Sequence, residues 1–252
     1  STLSSSSAAS DVYKRQSTIN QRITDNMAAP TYADPVIHTT QGYVSSAGVK
    51  LLVYAPPHKG KTDLIKTLPK PLVLASEHGL ATLNKYNIPY TPCETVEQVK
   101  ALTKWINDGK YRGKYESIVL DSISYLTTAL LGEFRNNTAL YTNNGMKHYG
   151  LLKDYATDLL AALFSANVHV YVTAWEGDKY DAFGTLVCNY PETEGKALQA
   201  YLVHYFDLTA HLAWHSMDVA QADGTTLKQE FPYLQTVEAN GCLLYTSDAA
   251  DE

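Results

Sequence analysis

The sequence predicts an α/β fold, a mostly parallel sheet flanked by helices with antiparallel strands near the C-terminus. Three observations predict it. From Lys50 onward, short and continuously apolar runs alternate with helix-compatible stretches, the pattern of parallel strands buried on both faces. The first run leads through Pro56, Pro57 and Gly60 into such a stretch, as a strand–turn–helix unit does. Beyond Phe206 the pattern shifts toward antiparallel strands, with Ala222-Asp223-Gly224 as a hairpin turn.

The first strand is Leu51-Leu52-Val53-Tyr54, and the helix-compatible stretch after it reaches about Leu68. Pro71-Leu72-Val73-Leu74-Ala75 is a second buried strand. A helix is expected over Thr95 to Asn107, with apolar residues at Val96, Val99, Leu102 and Ile106 and with Thr95 and Gln98 spaced as a capping box. Ser117-Ile118-Val119-Leu120 is a third strand and Ser122 to Phe134 a helix. Met146, Tyr149, Leu152, Leu159, Leu160 and Leu163 are expected to line one face of the next helix, and Val168 to Val172 to form the fourth strand.

The ends stand apart. Ser6 to Gln16 reads SSAASDVYKRQ and Cys242 to Glu252 reads CLLYTSDAADE, and the two strands of a single oligonucleotide can encode both. That oligonucleotide resembles a transposase sequencing adapter, which Ser1 to Ser5 also fits. Residues 1–16 and 242–252 are therefore expected to be adapter-derived scars outside the fold. Residues 17–49 are expected to be an irregular lead-in, with Met27 a candidate start, and 50–241 one domain, truncated at its C-terminal end.

Composition narrows the function classes. The formal net charge of −6 does not advertise nucleic acid by bulk charge, so any DNA contact must be local. The longest apolar run, Leu159 to Trp175, is broken by Ser165, Asn167 and His169, so it reads as a helix end feeding a strand and not as a membrane span. Once Cys242 is set aside, Cys93 and Cys188 have no pairing or metal-ligand spacing, which suits a reducing cytoplasm. Neither has a base at matching spacing, so nucleophilic catalysis by cysteine is not supported.

The residues that carry chemistry are Ala55, Pro56, Pro57, His58, Lys59, Gly60, Lys61 and Thr62, set between a strand and a helix-compatible stretch. Such a loop presents successive backbone N–H groups to phosphate oxygens. Lys61 is expected to reach the β- and γ-phosphates of ATP, and the Thr62 hydroxyl to ligate Mg2+. Ala55 stands where this pattern places glycine. A phosphate loop needs a second acidic element for its metal, and Asp121, ending an apolar strand, supplies one; it is equally placed to cap the following helix, and both roles can hold.

Ala75-Ser76-Glu77-His78-Gly79-Leu80 after the second strand and Asp121-Ser122 after the third resemble RecA-type recombinases. From Lys50 to Gln235 the layout is similar to the short phage ATP-binding proteins of RecA-like P-loop NTPase core. The resemblance implies a catalytic role for Glu77 in positioning the attacking water, beside Lys61. It also implies a homo-oligomer in the host cell cytoplasm, with single-stranded DNA and phage single-strand-binding or annealing proteins as partners and no membrane. Gly195-Lys196-Ala197-Leu198 resembles the late core of that family, where Asp207 would help to close the sheet.

There are departures. Where that family carries a polar sensor, this chain has Trp175, so Thr173 or Glu176 would have to substitute. The stretch Gly177 to Gly195 stands where RecA places a DNA-binding loop; it is acidic, though Tyr180, Phe183 and Tyr190 are able to stack on bases. Arg135, Lys147 and His148 flank another loop and form the better basic candidate. Asp207, His211 and His215 are spaced four apart, but the alternation around them reads as a strand, which would scatter them. Tyr201, Tyr205 and Phe206 read as core or interface aromatics. Three functions compete: an ATP-hydrolysing RecA-like protein of phage recombination or single-strand annealing, a nucleotide-gated scaffold or DNA-binding module that hydrolyses little, and, last for want of an Arg-rich lid, a P-loop kinase.

Overall fold

The computed structural model describes residues 48–141, 143–220 and 226–236. The two flanking segments, most of the lead-in and the Ala222-Asp223-Gly224 turn lie outside the described residues. Strand β1 (Lys50–Ala55) is buried along most of its length and is followed by the phosphate-loop candidate. The helix expected after that loop is only a 3-10 turn, Asp63–Thr67. Its shortness has a local cause: Pro69 pushes Leu68 into extended backbone (φ −79°, ψ 146°), which ends the turn before an α-helix can propagate.

Strand β2 (Pro71–Ala75) leads into a second 3-10 segment, Gly79–Tyr86. A short strand that the apolar pattern does not reveal, β3 (Tyr90–Pro92), follows at the sheet edge. Helix α1 (Val96–Asn107) starts on the expected capping box: Thr95 Oγ1 accepts from Gln98 N at 3.3 Å, and Gln98 Oε1 accepts from Thr95 N at 3.2 Å. Strand β4 (Ser117–Asp121) and helix α2 (Ile123–Asn136) come next, then helix α3 (Gly145–Ser165). The buried face of α3 carries His148, Leu152, Ala156, Leu159, Leu160 and Leu163. Met146 and Tyr149, expected on that face, are exposed, because the stripe enters the helix at His148, one step out of phase with them.

Strand β5 (His169–Tyr180) runs well beyond the expected Val172 and pairs antiparallel with β6 (Leu186–Glu192). Helix α4 (Lys196–Leu202) precedes β7 (Leu208–Ala220) and β8 (Thr226–Gln235), which form the expected antiparallel pair. The sheet order among the described residues is β3-β2-β4-β5-β1-β7-β8, with β6 paired to β5. The pairs from β3 to β7 along this order are parallel, so the carboxyl ends of β1, β2, β4 and β5 share one edge.

Side chains alternate between two cores, as a strand period of two requires. Leu52, Leu74, Leu120 and Val172 face α1, α2 and α3; Val53, Val73, Val119 and Tyr171 face Ile65 and Leu83 of the two 3-10 segments. Both faces are buried, which is why these strands read as unbroken apolar runs. At the other edge, Asp207 ties β7 to β1: its Oδ2 accepts from Lys50 N at 2.8 Å and its own N donates to Lys50 O at 2.9 Å.

Candidate functional site

The loop from Ala55 to Thr62 turns at His58 (φ 61°) and Gly60 (φ 97°), both in the left-handed region. Glycine suits the second position for that reason alone, since a side chain there would meet open space. Pro57, His58 and Lys59 are exposed, whereas Ala55 and Lys61 are buried. Lys61 Nζ donates to two loop carbonyls, Ala55 O at 2.8 Å and Pro56 O at 2.9 Å. The short turn after the loop shifts register: Leu64 N donates to Gly60 O and Ile65 N to Thr62 O, which passes over the Lys61 carbonyl. The buried Tyr171 hydroxyl donates to that carbonyl at 2.9 Å. A tyrosine inside an apolar strand needs such an acceptor, and this was the one signal in the sequence for it. Trp214 Nε1 also reaches the loop, donating to Lys59 O at 3.2 Å.

Across from the loop, the buried Asp121 carboxylate accepts from the Thr62 hydroxyl at 2.8 Å and from the Thr173 hydroxyl. The cap of the following helix comes from Ser122 instead, whose side chain accepts from Tyr125 N at 3.3 Å. The ends of β2 and β4 are pinned together, with Ser76 N donating to Asp121 O and Ser76 Oγ to Ser122 O at 2.6 Å. Glu77 therefore leaves β2 beside Asp121. The structure brings Lys61, Thr62, Glu77 and Asp121 to one sheet edge, with Thr173 as a further neighbour.

Electrostatics at this edge are tightly coupled. Burial lowers the Lys61 amine from its ordinary value, while the charges of Glu77, Asp121 and Glu176 act against that. Burial pushes the Glu77 carboxyl up, as does the charge of Asp121. Burial likewise raises Asp121, against hydrogen bonds from Thr173 and Thr62 and the charge of Lys61. Thr62 and Asp121 present hard oxygen donors side by side, a fit to Mg2+.

Other expected features fall elsewhere. Gly177 to Gly195 is not an open loop: β5 and β6 form a ribbon whose turn is fastened by Asp181 Oδ1 accepting from Phe183 N at 2.8 Å and Thr185 N at 2.9 Å. Tyr190 lies against Gly177 so closely that a Cβ there would stand 2.6 Å from its ring, while Tyr180 and Phe183 are exposed. Of the basic candidates, His148 is buried and Arg135 donates to Tyr149 Oη at 3.3 Å. His211 pairs with Glu176 at 2.5 Å, apart from Asp207 on Lys50 and from the exposed His215. Cys93 and Cys188 are buried, and burial pushes the Cys93 thiol up to about 12. Tyr205 stacks on Phe164 and Phe206 is buried, as expected, but Tyr201 is exposed.

A family model described as "AAA domain" matches residues 47–241. No curated protein matches the chain. No helix among the described residues is long and apolar enough to cross a membrane.

Proposed function

Because the chain belongs to the AAA-domain family, whose members are nucleotide-binding ATPases, we propose that residues 50–241 bind ATP with Mg2+ on the 55–62 loop and hydrolyse it, in a RecA-like protein of phage DNA recombination or single-strand annealing. The observation that carries this reading is the meeting of Lys61, Thr62, Asp121 and Glu77 at the carboxyl ends of β1, β4 and β2. Ligands of open α/β sheets bind at that edge.

In this reading the loop N–H groups cradle the phosphates, and Lys61 exchanges its two carbonyl acceptors for phosphate oxygens. Thr62 and Asp121 would hold Mg2+, which neutralises charge between the β- and γ-phosphates when bound. Glu77 orients a water whose oxygen attacks the γ-phosphorus as the bond to the β–γ bridging oxygen breaks; the water proton passes to Glu77 or to the released phosphate. Its raised proton affinity, caused by burial and by Asp121, suits an acceptor of that proton.

Binding of a fluorescent ATP analogue with Mg2+ tests the first half: saturable binding is expected, and its loss in Lys61→Ala. Turnover tests the second. Glu77→Gln is expected to lower kcat by about 10²- to 10⁴-fold with nucleotide binding kept. Turnover unchanged in that variant would remove Glu77 from the chemistry. Turnover near zero in the wild type despite binding would favour the second reading, a nucleotide-gated module, which draws support from Trp175 on the strand that carries Thr173. Proposed partners are single-stranded DNA, phage single-strand-binding or annealing proteins and further copies of the chain. The exposed Tyr180 and Phe183 are the stacking candidates for DNA, and nucleotide-dependent binding of a labelled oligonucleotide tests them.

A further inference from the structure

Glu176 follows Trp175, the register partner of Ala55, whose carbonyl accepts from Lys61, and its charge acts on that amine together with those of Glu77 and Asp121. The nucleotide reading gives direct roles to Glu77 and Asp121, whereas Glu176 enters it only beside Thr173, as one of two residues that would substitute for a polar sensor. A carboxylate near a phosphate-binding lysine is a liability twice over. It repels an anionic substrate, and as an ion-pair partner it competes for the amine.

Glu176 is held on both of its oxygens by side chains from other strands. His211 Nε2, on β7, lies 2.5 Å from Oε2, and Asn189 Nδ2, on β6, donates to Oε1 at 3.0 Å. A carboxylate only accepts, so the His211 ring carries its hydrogen on Nε2. That ring is fixed by stacking on Tyr54, its register partner across β1 and β7, at 5.0 Å and 28°. Asn189 is braced in turn by Asp178 Oδ1 at 2.6 Å. Both members of the His–Glu pair are mostly buried, with side-chain exposures of 16% and 13%. Lys61 meanwhile rests on two neutral carbonyls, and among the described residues it has no ion pair to break when it moves to a phosphate.

We propose that His211, together with Asn189, is a positioning residue of the nucleotide site, holding the Glu176 carboxylate away from Lys61 so that the lysine stays available to the polyphosphate of a nucleoside triphosphate. The role rests on the nucleotide reading of the 55–62 loop. Without the imidazole, Oε2 loses its donor and the carboxylate is released toward Lys61, which then leaves the carbonyls for an ion pair.

The test is binding of a fluorescent ATP analogue with Mg2+ to the full chain and to Lys61→Ala, His211→Ala, His211→Gln and the double variant His211→Ala with Glu176→Gln, with Tm measured for each. His211→Ala is expected to weaken binding by about tenfold or more. His211→Gln, whose amide still donates, is expected to stay close to wild type. The double variant is expected to recover binding, which a packing defect would not do. If His211→Ala does not fold, Asn189→Ala carries the same test: weakening reversed by Glu176→Gln supports the role, and no weakening overturns it. Binding by His211→Ala equal to wild type, or a double variant as weak as His211→Ala, overturns the positioning role while Lys61→Ala still reports on the nucleotide site. Absence of saturable binding in the wild type overturns both.

Discussion

At the residue scale, Asp121 shows what a buried carboxylate costs in stability. Its carboxylate is nearly inaccessible, and its two hydroxyl donors only partly replace water. Burial therefore raises its proton affinity in the folded state. Below the unfolded carboxylate range both states are protonated and nothing is lost. As pH rises through the folded value, the folded state must bear a buried charge and stability falls. Asp121→Asn is thus expected to stabilise the nucleotide-free protein at neutral pH by on the order of 1 kcal/mol, about 2–4 °C in Tm. That gain should vanish in acid, and Mg2+-dependent nucleotide binding should be lost. Thermal melts at several pH values check it; a variant less stable than wild type at neutral pH would show that the two hydroxyl bonds outweigh the burial. The place of Asp121 at the sheet edge was legible because an apolar strand ending in an acid is a visible pattern. Tyr171, Thr173 and the Glu176–His211 pair were not legible as a group, since they lie on strands far apart in sequence that meet only through sheet order.

At the element scale, the helices are held by packing more than by local signals. Phe134 of α2 is fully buried and meets Tyr141 edge-on at 4.7 Å and the ring of Tyr155 of α3 at 6.0 Å. Phe134→Ala is expected to cost about 3–5 kcal/mol through lost burial and the cavity left behind. Urea unfolding measures it, and a cost below about 1 kcal/mol would mean that α2 and α3 repack freely. The capping box of α1 was legible because its donors and acceptors lie within four residues of chain. The outward turn of Met146 and Tyr149 was not, because helix phase is set by which stripe the neighbours cover. The 3-10 turn at Asp63–Thr67 is an intermediate case: Pro69 was visible, but its effect on a turn this short depends on how little chain remains before β2.

At the scale of the whole molecule, Lys50 joins three parts of the fold. Its backbone pairs with Asp207 at the start of β7, and its Nζ donates to Ala166 O and Val168 O, both at 2.7 Å, between α3 and β5. Burial lowers its amine from 10.5 to about 8, with Asp207 opposing the shift. Between those values the unfolded chain binds more protons than the folded one, so this group's contribution to stability rises with pH, and its full penalty applies below about 8. Lys50→Met is expected to flatten that rise, as read from denaturation midpoints between pH 7.5 and 10. An unchanged pH slope would mean that the amine is solvated in the folded state.

The alternation of strands and helices, the candidate phosphate loop, and the acids Glu77 and Asp121 at the strand ends could all be read from the chain alone, because each is written in residues adjacent along it. The strand order, the continuation of β5 into a ribbon, and the partners of Glu176 emerged only in the folded molecule. Those depend on which strands lie side by side: β1 between β5 and β7 places His211, Glu176 and Lys61 together across more than a hundred residues of chain. Local pattern fixes what an element is, but pairing between distant elements fixes what its side chains meet.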